Sequence, residues 1–157
     1  MSELKLKFFC KTENDTVLLG QKISTLCHRG DVLALNGTLG VGKSVFARAF
    51  IQNICGKTDV PSPTFTLVQT YEAQDFDVYH FDLYRLKSPE EIFELGMEEA
   101  MYDGVCLIEW PEKMGGYLPK KSITINITHQ QEGRELEISF PNEDTYQRFC
   151  VLKEKNA

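Results

Sequence analysis

A mixed α/β fold, with a mainly parallel central sheet flanked by helices and carrying antiparallel hairpin strands, is predicted by three observations on this 157-residue chain. Two short, mostly apolar runs, Asp31–Asn36 and Val105–Glu109, read as buried strands. Stretches with helical spacing alternate with strand-like stretches, the pattern of a sheet covered by helices. A complete G-x-x-x-x-G-K-S sequence, Gly37–Ser44, stands between one of those strands and a helical stretch.

Taken in order, Leu4–Cys10 alternates with period two and predicts a strand, and Asn14–Cys27 places Leu19, Ile23 and Leu26 at helical spacing until Gly30 ends it. After the buried strand at 31–36 and the glycine-rich stretch, a helix is predicted with Phe46, Phe50 and Ile54 on one face and Gly56 at its end. Two prolines make 57–63 a loop. Thr66–Tyr71 and Asp77–Leu83 then read as strands joined by a short polar turn, a hairpin. Ser88-Pro89-Glu90-Glu91 offers a cap residue, a proline at the first helical position and a glutamate three residues after the cap; Gly96 and Gly104 limit the helical region it starts. Val105–Glu109 leads into a short helix and loop at Trp110–Pro119. Ser122–Thr128 and Glu135–Phe140 are the last strands, with Gly133 in the turn between them and a polar, helical tail from Asn142. With no repeat, low-complexity tract or linker, residues 1–157 are expected to form a single domain.

Composition narrows the function. The chain is 42% hydrophobic and 25% charged, enough apolar residues for a core and far from disordered or disulfide-scaffold compositions. Seventeen Lys and Arg against twenty-three Asp and Glu give a net charge of −6, the wrong sign for holding nucleic acid by bulk electrostatics. Cys10, Cys27, Cys55, Cys106 and Cys150 are odd in number, include no C-x-x-C pair and mostly have apolar neighbours, as reduced core thiols do. No apolar run approaches the roughly 20 residues that span a bilayer, and a cytoplasmic location is expected.

The glycine-rich stretch carries the chemistry. Gly37-Thr38-Leu39-Gly40-Val41-Gly42-Lys43-Ser44 predicts a P-loop NTPase. Glycines let the chain wrap without Cβ clashes, so that N–H groups from Thr38 through Val45 point inward at phosphate oxygens, and the helix beginning near Lys43 adds its positive end. Lys43 then reaches the β and γ phosphates and the Ser44 hydroxyl is placed for Mg²⁺. A P-loop also needs an acid near the end of an adjacent strand, and two qualify: Asp82 in Asp77–Arg85, on the strand face of His80 and Tyr84, and Glu109 at the end of its apolar run. Pattern leaves open which of the two contacts Mg²⁺ and which positions water. Thr64, on the proline-stiffened loop Ser62–Thr66, occupies the place of a threonine that senses γ-phosphate. Trp110 is either core filler or a cover for base or phosphates. Arg85 is either an arginine finger or a surface ion-pair partner, and His80 suits a strand-face hydrogen bond better than a zinc site, since the three histidines form no ligand spacing.

Four segments, GTLGVGKS at Gly37–Ser44, SPTFTLV at Ser62–Val68, HFDLYR at His80–Arg85 and IEWPEK at Ile108–Lys113, together resemble the bacterial TsaE family, also called YjeE, over roughly residues 15–140. The resemblance implies an ATPase required for N6-threonylcarbamoyladenosine at position 37 of tRNAs that read codons beginning with A. Such proteins act with a TsaB–TsaD heterodimer, which itself transfers the threonylcarbamoyl group from an adenylate made by TsaC. Carried over by motif, Lys43 binds ATP phosphates, Ser44 and Asp82 serve Mg²⁺, Thr64 is the switch threonine, and Glu109 with Trp110 completes the hydrolytic site. The chain departs from the usual family loop at Thr38, Val41 and Ser44, where Asp, Ala and Thr are common; no backbone donor or hydroxyl is lost.

The acidic charge suits a protein that reaches tRNA only through a protein complex, and the absence of an N-K-x-D run leans toward ATP over GTP. The principal reading is therefore a Mg²⁺-dependent ATPase, slow alone and stimulated by its partner. A small-molecule or nucleoside kinase is the competing reading; it predicts an arginine-rich lid, yet the five arginines, Arg29, Arg48, Arg85, Arg134 and Arg148, are scattered. A nucleotide-gated binding module that hardly hydrolyses differs from the first mainly in rate.

Overall fold

A computed structural model describes residues 4–38, 41–56, 59–61, 63 and 66–153. In chain order it contains β1 (Lys5–Cys10), α1 (Glu13–Leu26), β2 (Val32–Asn36), α2 (Lys43–Cys55), β3 (Val68–Tyr71), β4 (Asp77–Asp82), α3 (Met97–Asp103), β5 (Gly104–Glu109), β6 (Ile123–Gln130), β7 (Gly133–Ser139) and α4 (Glu143–Phe149), with 3₁₀ turns at Pro89–Leu95, Pro111–Tyr117 and Cys150–Lys153. The seven strands form one sheet in the order β1-β7-β6-β2-β5-β4-β3. Pairing is parallel across β6-β2-β5-β4 and antiparallel at both flanks, so the mixed sheet predicted above, hairpins included, is the one observed.

Period-two alternation in the parallel strands separates two cores. Leu33 and Leu35 of β2 and Val105 and Leu107 of β5 face Leu19 and Ile23 of α1 and Phe46 and Phe50 of α2. Val32, Cys106 and Ile108 face the other way, onto Ile92, Met97, Ala100 and Met114. Burying a large aliphatic or aromatic side chain of this kind contributes roughly 1.5–3 kcal/mol. In the antiparallel flank only one face is apolar: Leu136 and Ile138 join the first core, while Glu135 and Glu137 stand opposite Phe9 and Lys7 of β1.

Helix ends explain the boundaries. Thr12 caps α1 with a reciprocal capping box to Asp15, which starts the helix at Glu13, just ahead of the Asn14 expected from spacing. Gly56 ends α2, and Asn142 caps α4 through the Thr145 N–H. At Ser88 the expected cap is not made by the side chain; Glu91 instead accepts from the Lys87 N–H. The chain there winds as a 3₁₀ turn to Leu95, reverses at Gly96 and only then forms α3, so the predicted helical region is two short pieces.

All five cysteines are free thiols. Burial pushes the Cys106 thiol up to about 12, against the opposing pull of Lys121, and that of Cys55 up to about 11. No helix among the described residues is long and apolar enough to cross a membrane.

Candidate functional site

The turn after β2 is built around glycines for steric reasons. Gly37 has φ +155°, and a Cβ there would lie 2.7 Å from the Val41 side chain and 2.9 Å from the Ile127 carbonyl oxygen. Gly42 has φ +117°, a conformation that L side chains rarely adopt, and its carbonyl accepts from the Phe46 N–H at 3.0 Å, opening α2. Between them the Val41 N–H bonds the Thr38 carbonyl at 3.3 Å and the Val41 side chain is buried. Thr38 is exposed; Leu39 and Gly40 lie outside the described residues. Thr12 and Asn142 cap α1 and α4 with their side chains, whereas Gly42 at the start of α2 has no side chain to offer. The N–H groups of that helix's first turn and its dipole are therefore available to an anion.

Lys43 is the first residue of α2 and is only 5% exposed, unusual for a lysine. Its ammonium sits 4.1 Å from the centroid of the Trp110 ring, a cation–π contact that links the turn to the end of β5. Trp110 is held at φ 59°, outside the strand, and its ring meets that of Tyr84 at 5.0 Å. The tryptophan is half-buried against the second core and contacts both Lys43 and Tyr84. Ser44 is exposed and Val45 half-buried.

Asp82 and Glu109 end the adjacent parallel strands β4 and β5 and are paired directly in register. Both are buried, at 4% and 6% exposure. Their surroundings differ. Asp82 Oδ1 accepts the Tyr84 N–H at 3.0 Å, while Glu109 Oε2 lies 2.7 Å from His80 Nε2. The His80 reading as a hydrogen-bonding strand residue thus finds its partner, and its Nδ1 is buried without one. β4 stops at Asp82, so Tyr84 belongs to the following turn, and the period-two face shared by His80 and Asp82 does not extend to it. Arg85 in the same turn is exposed.

The Asp82 N–H bonds the carbonyl of Leu67 at 3.0 Å, and Leu67, at φ 71°, bonds back to Pro63 at 2.6 Å. The proline loop is therefore tied at its end to the backbone of Asp82; Thr64 itself lies outside the described residues. Sequence reasoning missed two further features. Asn36 Nδ2 donates to Asn126 Oδ1 at 3.0 Å, fastening the end of β2 to β6. Arg134 of β7 bonds the Thr12 carbonyl and Thr16 Oγ1, each at 3.1 Å, and its Cδ would lie 3.4 Å from a Cβ on Gly42. Neither has a local sequence signal, since the partners are far apart in the chain.

Comparison with known proteins agrees with this architecture. The family model described as "Threonylcarbamoyl adenosine biosynthesis protein TsaE" matches residues 10–136. The chain is 40% identical to the Rickettsia typhi tRNA threonylcarbamoyladenosine biosynthesis protein TsaE, over 93% of this chain and 90% of that one. It is 33% identical to the Bacillus subtilis protein of the same description, over 87% and 85%. The crystal structure of Bacillus subtilis YdiB superposes with a TM-score of 0.77 at 27% identity, covering 96% of this chain and 95% of that one. Matched by the family model over residues 10–136 and by relatives over most of its length, the chain belongs to the TsaE family.

Proposed function

We propose that this chain, as one domain, is a Mg²⁺-dependent ATPase that serves N6-threonylcarbamoyladenosine formation on tRNA, acting with a TsaB–TsaD complex in the cytoplasm and meeting tRNA only through that complex. The observation that carries the reading is Lys43, a buried cation at the start of α2 beside the ends of β4 and β5. A buried charge needs compensation, and a polyphosphate in the turn supplies it.

The residues fit a nucleotide and its metal. Backbone N–H groups of the turn from Thr38 to Val45 and the Lys43 ammonium bind phosphate oxygens; Ser44, Asp82 and Glu109 are the oxygen donors near a hard cation. When bound, Mg²⁺ neutralises charge on the β and γ phosphates. Asp82, whose carboxylate is anchored by the Tyr84 N–H, is proposed as the metal-side acid. Glu109 is proposed to orient the attacking water and take its proton at Oε1, because His80 holds Oε2 and fixes the carboxylate plane. Trp110 shields Lys43 from water and so strengthens its field at the phosphates. Thr64 is proposed to sense the γ-phosphate.

Three of the five arginines do not suit a kinase lid. Arg29 bonds the carbonyls of Asp75 and Asp103, Arg134 the Thr12 carbonyl and the Thr16 hydroxyl, and Arg148 the Leu26 carbonyl and Asp31. The test is ATP hydrolysis by the purified chain with and without TsaB–TsaD. Turnover is expected to be slow alone, to rise with the complex, and to fall on the order of 10²–10³-fold in Lys43→Ala; no stimulation together with an unaffected Lys43→Ala overturns the proposal.

A further inference from the structure

Away from the site, β1 is an edge strand, paired with β7 and with nothing on its other side among the described residues. Its hydrogen-bonding parity follows from one contact. The Phe140 N–H bonds the Leu4 carbonyl at 2.9 Å, and Lys5↔Ser139 continues the same register. In an antiparallel ladder bonded and non-bonded pairs alternate. Leu6, Phe8 and Cys10 therefore bond β7, and the backbone N–H and C=O groups of Lys5, Lys7 and Phe9 point outward.

A groove of about 610 Å³ runs along this edge, walled by β1, by Leu18 and Lys22 of α1, and by Leu152 and Lys153 after α4. Phe9 and Leu18 are exposed there, at 57% and 47%. Among the described residues that line it, Lys7, Lys22 and Lys153 stand against one acid, Asp15, whose Oδ2 accepts from the N–H groups of Lys11 and Thr12. Lys5 and Lys7 each lie 3.9 Å from Oε2 of Glu137.

We infer that the outer edge of β1 is a strand-addition site for an extended segment of a protein partner in which acidic and apolar residues alternate. Such a segment bonds the outward groups of Lys5, Lys7 and Phe9, sets its acids beside Lys5 and Lys7, and lays its apolar side chains against Phe8, Leu18 and Leu152. A second copy of this chain is disfavoured, because antiparallel pairing of β1 with itself brings lysines of the two strands together. Lysines also protect edges from indiscriminate pairing, and that protection is relieved only by a strand of opposite charge. The inference does not depend on the nucleotide reading.

The probe is an N-acetylated peptide of about eight residues alternating valine and glutamate, added to the ¹⁵N-labelled full chain, with a valine–lysine peptide for comparison. Amide shifts and slowed hydrogen exchange are expected at Lys5, Lys7 and Phe9. Lys7→Glu should weaken binding about tenfold, and Lys153→Glu should also weaken it. Lys7→Pro, which removes an outward N–H and no bond to β7, should weaken it comparably. The inference is overturned by no binding at millimolar peptide, by shifts centred elsewhere, by equal binding of the valine–lysine peptide, or by sedimentation showing that a second copy fills the edge.

Discussion

In the parallel centre of the sheet, β2, β4 and β5 send apolar side chains toward both faces, whereas in the flank of β1, β7 and β6 one face is apolar and the other carries Lys5, Lys7, Glu135 and Glu137 at the surface. The ionisable groups are distributed accordingly. Lys43, His80, Asp82 and Glu109 are buried and gathered at one end of the centre, with apolar cores on both faces of the sheet. A charge there acts in a low dielectric, while the same charge on the flank is screened. The centre thus supplies a place where few residues exert large electrostatic effects, and the flank supplies core area that holds that place together.

The sharpest way to break this comparison is at Glu109. Glu109→Gln should lower ATP turnover on the order of 10²–10⁴-fold while nucleotide affinity changes little; phosphate release and calorimetry measure the two. Affinity falling in step with turnover would mean that the buried charges act together in binding. On the flank, Ile138→Ala should cost about 2–5 kcal/mol of stability in urea unfolding, with nucleotide affinity of the folded protein unchanged. At the start of β5, a Cβ at Gly104 would meet the Asp77 carbonyl oxygen and come within 2.9 Å of the Tyr79 ring. Gly104→Ala should therefore cost about 1–3 kcal/mol and separate β4 from β5, so that turnover suffers along with stability.

The last effect is a pH effect. Unfolded, the Cys106 thiol titrates near 9.0; folded, burial holds its proton to about 12. The folded state binds more protons within that window, so this contribution is intact below about pH 9 and is lost as pH rises toward about 12, by at most about 1.4 kcal/mol per pH unit. Urea titrations from pH 8 to 11 should show a shallower decline for Cys106→Ala, whatever its lower starting stability.

Much of this was legible in the chain itself. The strand, glycine turn and helix around Gly37–Ser44 were readable because backbone sterics demand those residues locally, and the unbroken apolar run Val105–Ile108 foretold a buried strand. The two acids were readable as strand ends. What periodicity cannot provide is partners: Asp82 beside Glu109, His80 on Glu109, and Trp110 on Lys43 arise from strand order and crossover packing between distant segments. The region after Ser88 shows the opposite failure, in which correct local signals for a helix start were overridden, since the Glu91 carboxylate bonded Lys87 and Gly96 reversed the chain after one 3₁₀ segment.

Arg134 belongs by position to the flank, yet its side chain lies against Gly42 while its guanidinium grips the first turn of α1, and its Nε is buried without a partner. One side chain therefore touches both the glycine turn and, through Thr12 and Thr16, the head of the helix that walls the open edge of the sheet, so that replacing it disturbs two distant parts of the molecule at once.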